Sequence, residues 1–431
     1  MATVQWTGGG PSQTQVETAT VTGVAAGGTL TATIGVHSVT YVCTSGDTTA
    51  SAAQSLFNLL TAAGVPGEFA ELVYDNPSNG VITVTSPTSG YPFTIAFVGG
   101  LGASISQAHT TANLSPSDVT LAANWLRNGV AALPQNGDDL VIANSSIPLL
   151  WNLDKLFIIP LSVTRYQSFT GTIGLPDQNP AGYLEYRATD LTLGTAGSSS
   201  SLGGGGGGGG SIPAQTTMLL GAGTTGGGPG RERYNLQGQK TVLTVLASGS
   251  ALDATAVRFR GTNGANTVSV VSTSLGIALG ATETSSFSSA VVGGGGTLVT
   301  GGIVTVSGAV TVTGGSAVLA SAPPTLNALS GSQITVTAAE ATFPAILAAN
   351  GSQFTWLSDS TVTTLTLRTG SFFDKSQDPR AMTITNLTID VDTAVVNDPM
   401  NTITYTNAAV CNNAASGGPF LFGSGRTLKL T

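Results

Sequence analysis

Charge is scarce in this chain. Only 8% of its 431 residues are Asp, Glu, Lys or Arg, where an ordinary globular domain carries roughly 25%. The 14 Lys and Arg are outnumbered by 22 Asp and Glu, for a net charge of −8. That balance argues against a nucleic-acid partner, which would need clustered basic side chains. Two His and two Cys are too few for a zinc site of the usual ligand count or for a disulfide framework. Cys43 and Cys411 lie far apart in the chain, and both read as buried free thiols. No run approaches the roughly 18 continuous apolar residues of a membrane span. The opening Met1-Ala-Thr-Val-Gln-Trp6 has neither the basic nor the apolar segment of an export signal. The expectation is a soluble protein made in a reducing cytoplasm, with no membrane partner and no metal or other cofactor.

Glycine is abundant, at 58 residues, and Ser, Thr, Val and Ala fill much of the rest. Few charges and only 6% aromatics would fit disorder, but 41% apolar residues at low charge density do not. An uncharged, Gly- and Thr-rich surface suits contact with other protein surfaces. The composition reads as that of an assembly subunit.

The expected fold is mostly β: an arm over residues 1–15, a small α+β domain over 16–113, and a right-handed parallel β-helix over 114–431. In the small domain, 16–22, 29–34 and 36–42 alternate with period 2 and are separated by Gly, as in a hairpin or meander. Asp47-Thr48-Thr49 can cap a helix over 50–63, where Ala53, Leu56, Phe57 and Leu60 mark one face. Gly64 ends it, and strands follow near 71–74, 81–85 and 93–98. The helix carries no charge, so its outer face is expected to pack against something.

Beyond residue 114, short β-prone runs recur with Gly, Ser, Thr or Asn between them: 241–245, 268–271, 302–306, 310–313, 334–337, 362–367, 382–389 and 402–406. No fixed repeat can be written, yet short runs joined by sharp turns are what the flat faces of a solenoid require. Asn386, Asn397 and Asn407 recur about ten residues apart, as turn-stacking Asn would. The Ser/Gly-rich segment 197–211 holds Gly203 to Gly210. It reads as a loop and not a phosphate cradle, since no Lys-Ser/Thr follows it. Residues 421–430 read as a last strand covering the open sheet edge.

Candidate chemistry is sparse. Asp374, Asp378, Asp390, Asp392 and Asp398 form the densest acidic group. On adjacent rungs they would make a paired-carboxylate glycosidase or a Ca²⁺ site, but a polar loop and an outward strand face explain them more simply. Asp138-Asp139 reads as a turn entering a strand, and His37 and His109 lack ligand-spaced neighbours. Arg231-Glu-Arg233-Tyr234 and Arg258-Phe-Arg260 are the local basic pairs; the first reads as a solvated turn or a neighbour contact. Trp6, Trp125, Trp151 and Trp356 are dispersed, which favours core or interface roles over a sugar platform. No catalytic, cofactor-binding or metal residue is assigned.

Three stretches carry a resemblance. They are Asn124-Trp125 with Leu133-Pro-Gln-Asn-Gly-Asp-Asp-Leu-Val-Ile142; Ser168-Phe-Thr-Gly-Thr-Ile-Gly-Leu-Pro176 with Tyr183-Leu-Glu-Tyr-Arg187; and Asn397-Asp-Pro-Met-Asn-Thr-Ile-Thr-Tyr-Thr-Asn407. Together they resemble a family of β-helical structural proteins of tailed-phage and prophage virions. Residues 16–98 are similar to a small α/β domain placed ahead of, or inserted into, such proteins. The long Ser/Gly tract departs from the pattern. The resemblance implies a non-enzymatic virion protein made in the host cytoplasm: a capsid decoration or cement protein, or alternatively a tail fibre, spike or adhesin subunit that binds host glycans. A polysaccharide-degrading β-helix is a third reading. The implied partners are other virion proteins, the major capsid protein or tail proteins, and further copies of the chain, with a trimer as the common arrangement.

Overall fold

The computed structural model describes residues 2–174, 190–194, 214–220, 232–246, 257–279, 282–389, 394–407 and 409–411. Gly203 to Gly210, Asp390, Asp392 and the expected last strand at 421–430 lie outside them.

The main body is a β-solenoid of about nine turns. Successive strands alternate between two parallel sheets. Thr267–Val271, Ser289–Gly293 and Ala309–Thr313 join the first, while Ser274–Ile277, Thr297–Thr300 and Ser316–Leu319 join the second. Register is held without slippage, so like positions stack. One inward column of the first sheet runs Val268, Ala290, Val310, Leu326, Ile346, Leu365, Leu387. A second runs Val270, Val292, Val312, Ala328, Ala348, Leu367, Ile389. All of these side chains are buried. Strand period 2 sends the intervening Thr, Ser and Asn outward. β-Branched Val and Ile fit such a pleated, half-buried surface.

Corners follow from residues that tolerate positive φ. Ser330-Gly331 and Asn350-Gly351 both take left-handed pairs (φ 55° and 74°, 53° and 78°), and the Gly331 amide donates to the Asn350 carbonyl at 2.8 Å. The serine that follows each glycine turns inward. Ser332, Ser352 and Ser371 are fully buried, and their hydroxyls donate to the carbonyls of Val312, Ala349 and Arg368. Each buried hydroxyl is thereby satisfied by a main-chain carbonyl.

The segment read as an arm belongs to the solenoid. Thr3–Trp6 pairs in parallel with Asp139–Ile142, placing Val4 beside Leu140 and Trp6 beside Ile142. Its other edge is met antiparallel by Trp125–Arg127, which an Asn128-Gly129 turn folds onto Val130–Ala131. Both turn residues have φ near the values of a type I′ hairpin. The solenoid sheet therefore ends at this side in a short antiparallel hairpin, which blunts the edge. Asp138 locks the corner, accepting from the amides of Ala2 (2.9 Å) and Gln135 (3.0 Å) and from Arg127.

Residues 16–111 are thus an insertion between the first strand and the rest, with their own core around Leu30, Leu56, Phe69 and Ile82. The helix Thr49–Leu60 begins at Thr48, which exchanges hydrogen bonds with Ser51 in a capping box. Ala52, Ala53, Leu56 and Leu60 form its buried face, while Ser51, Asn58 and Leu59 are exposed. Two sheets surround it: four strands in the order Val73–Ser78, Val81–Thr85, Val16–Gly23, Ser104–Thr111, and three in the order His37–Val42, Thr29–Ile34, Ala96–Gly100. Ser104–Thr111 shows no apolar alternation and was not foreseen.

Because Leu326 is fully buried between Val310 and Ile346, Leu326→Ala is expected to cost about 2–5 kcal/mol. Urea unfolding monitored by circular dichroism checks it. A loss under about 0.5 kcal/mol would show that the column does not carry the load assigned to it.

Candidate functional site

Three of the five acids grouped in the sequence, Asp374, Asp378 and Asp398, are engaged in hydrogen bonds within the fold. The Asp374 carboxylate accepts from the Ser376 amide (2.9 Å) and from the Asn397 side chain on the next rung (3.0 Å). Asp398 accepts from Thr402 and from the Ile403 amide, closing a turn. Asp378 is the hub: Arg380 holds both of its oxygens, and the Lys375 ammonium sits 3.1 Å away. Lys375 is fully buried and also donates to the Ser358 carbonyl at 2.9 Å. Burial lowers its pKa and Asp378 works against that shift. Burial would raise the Asp378 carboxyl, but hydrogen bonds from Arg380 and Lys375 override it and hold the group at about 2. Among the described residues, no set of three His, Cys, Asp or Glu side chains could hold a metal ion.

The remaining sequence candidates are likewise committed. Asp138 is the lock described above, and Asp139 accepts from the Ser162 hydroxyl at 2.5 Å. His37 meets Glu68 at 2.6 Å, and His109 meets the buried Glu17. Cys43 is buried, which raises its thiol pKa, as does Asp47. Asn386 and Asn407 stack on adjacent coils at 2.7 Å, whereas Asn397 serves the other sheet through Asp374. Trp6 and Trp125 pack edge-to-face at 4.9 Å, and Trp356 joins Phe343 and Phe373 in the core.

The Arg-Glu-Arg-Tyr stretch is not a solvated turn. Arg231 lies outside the described residues, but Glu232, Arg233 and Tyr234 lie in the strand Glu232–Gln237 and all three are buried. Glu232 points inward to Arg165, 2.8 Å away, at a position of the inward column that Ile142 and Leu220 fill on neighbouring rungs. The Tyr234 hydroxyl donates to Glu232 at 3.0 Å, and Phe169 lies against the Arg165 guanidinium. Burial, then the Glu232 charge, pushes the Tyr234 phenol well above its ordinary range, so it stays a donor. Outward on the same sheet, Arg233 and Arg260 both grip Asp190, and Arg233 reaches Glu283 at 3.3 Å. Alternation signals strands but not which charges a strand buries, so the sequence hid this network.

Beside Asp190 lies a cleft of about 640 Å³. The inserted unit supplies one wall at Pro92, Phe93 and Thr94. Thr192, Asn235, Gln237 and Arg260 on adjacent rungs supply the opposite wall, and the segment from Trp151 to Phe157 forms its rim. Tyr91 packs edge-to-face on Trp151 at 5.7 Å, joining the two units at the mouth. These residues lie more than 160 positions apart in the chain, and no sequence motif links them.

No family model matches the chain, and no curated protein or solved structure does so either. Among the described residues no helix is long and apolar enough to cross a membrane.

Asp378→Ala is expected to cost about 3–5 kcal/mol, because it leaves the Lys375 charge buried without its carboxylate. The pH dependence has a fixed sign. With its pKa lowered from 3.8 to about 2, Asp378 contributes stability that is present above the ordinary value and lost as pH falls toward the folded one. Denaturant midpoints measured between pH 5 and pH 2 should therefore fall for the wild type, and less steeply for the variant.

Proposed function

We propose that the protein is a non-enzymatic structural subunit of a tailed-phage virion, acting as a decoration protein on the outer capsid shell. One observation carries the reading: the outer surface of the solenoid offers neighbours a long face without charge. From Thr284 to Ala339 there is no charged residue. The outward positions of the first sheet over these coils are Ser289, Val291, Thr311, Thr313, Thr325 and Asn327. Those of the second sheet include Thr297, Val299, Ser316, Val318, Gln333 and Thr335.

Rungs about 4.8 Å apart set these hydroxyls, amides and methyls in rows. A lone soluble protein normally keeps its surface charged, at roughly 25–35%. Depletion of charge is instead the mark of an interface centre, where stranding an ion away from water is costly. The resemblance in the stretches at 124–125 with 133–142, 168–176 with 183–187, and 397–407 supports placing that interface in a virion. In this reading the partners are the major capsid protein and other copies of this chain, and the carboxylates serve the fold and not catalysis.

Quantitative mass spectrometry of separated heads and tails tests the placement. Hundreds of copies per head are expected. A handful of copies in the tail fraction would replace the decoration role with a fibre or adhesin role, and absence from both would end the virion reading. Val291 and Thr313 are exposed on the first sheet, so Val291→Lys with Thr313→Lys should leave stability within about 0.5 kcal/mol per site. Incorporation into particles should fall by about tenfold or more, corresponding to ~1.4 kcal/mol of lost binding.

A further inference from the structure

We propose that the cleft between the inserted unit and the solenoid binds a short oligosaccharide. Its volume, about 640 Å³, lies within the roughly 300–1,000 Å³ of small-molecule sites. The wall chemistry then selects among ligands. Four side-chain amides line it, from Asn113 and Gln237 and from Asn152 and Asn235, whose amino groups already donate to Asp118 and Thr192, with the hydroxyls of Thr94 and Thr192 beside them. An amide presents a donor and an acceptor in one plane, which suits vicinal hydroxyls, each of them both donor and acceptor.

Most charged groups of the cleft are already engaged within the protein. Asp190 is held by Arg233 and Arg260, and Asp118 accepts from Thr120 and Asn152. Asp154 and Lys155 are exposed neighbours of opposite sign at the rim. Such a wall offers little net attraction to a phosphorylated or strongly anionic ligand, and it is too polar for a hydrocarbon one.

Two features ask for a partner. Phe157 stands 66% exposed at the rim, where an aromatic face can cover the C–H side of a pyranose ring. The Asn113 Oδ1 atom is enclosed yet accepts no hydrogen bond among the described residues, and a sugar hydroxyl is the kind of donor it lacks. Gln237 is half-buried in the opposite wall, and its side-chain amide makes no hydrogen bond among the described residues. An aromatic rim beside an amide-bearing wall is the division of labour that a saccharide needs: one apolar face and an equator of hydroxyls.

The test uses the full chain and four defined probes: maltotriose, cellotriose, chitotriose and 3′-sialyllactose, each titrated calorimetrically. Binding of at least one is expected, and Phe157→Ala and Gln237→Ala should each weaken it by about tenfold or more. The Val291→Lys, Thr313→Lys chain should bind as the wild type does, which separates this site from the docking face. Because Phe157 is exposed, its truncation leaves the core intact, and circular dichroism verifies that. Binding of none of the four probes, or binding that survives both cleft substitutions unchanged, would overturn the proposal. Particle incorporation can fail or succeed independently of either outcome.

Discussion

Everything in this molecule depends on one geometric constraint, the unslipped parallel register between coils. A strand's side chains alternate at a period of two, so a slip of one residue would turn every buried Val and Leu outward. Holding register converts short, individually weak runs into continuous columns of stacked aliphatics. Each rung buries only a few side chains, yet each of these touches like neighbours above and below. The backbone ladder and the hydrophobic column enforce one another. Neither alone would select this arrangement.

The same constraint explains how charge is used. An inward column has no room for an unpaired ion, so where Arg165 enters one, Glu232, Tyr234 and Phe169 converge on it. Lys375 is treated alike by Asp378 and the Ser358 carbonyl. Buried pairs of this kind add little net stability over an apolar replacement, but removing one partner is costly. Arg165 and Glu232 join different coils, and Lys375 reaches the preceding coil through the Ser358 carbonyl. Between these two locked regions the coils are held by aliphatic columns and neutral hydrogen bonds, and from Thr284 to Ala339 no charged residue occurs.

Much of the fold was legible. The runs at 310–313, 334–337, 362–367 and 382–389 coincide within a residue with observed strands, because β-branched alternation is a local property. The repeat was harder to see. Thr297, Ser316, Gln333, Gln353 and Phe372 occupy one column of the second sheet, but coil length varies between them and only the Gly-Ser pairs at 331, 351 and 370 recur at the corners. What defeated the sequence was distance. Trp6 could not announce a partner at Ile142, and Glu232-Arg233 looked like a solvated turn because nothing nearby reveals Arg165 or Asp190. The cleft escaped for the same reason, since its walls come from separate units.

The placement of Thr3–Trp6 also bears on the order of events during synthesis. Its parallel partner strand lies so far along the chain that Ala2 and Asp138, bonded in the fold, are 136 positions apart. At roughly 5–20 residues per second, the first strand waits many seconds on the ribosome before its neighbour emerges. The inserted unit has its own core and can fold in that interval, drawing residues 15 and 112 close together. It thereby replaces a long floppy loop with a compact one and lowers the entropy cost of closing the first rung. An insertion that looks like an appendage is, on this view, the splint that lets the solenoid start.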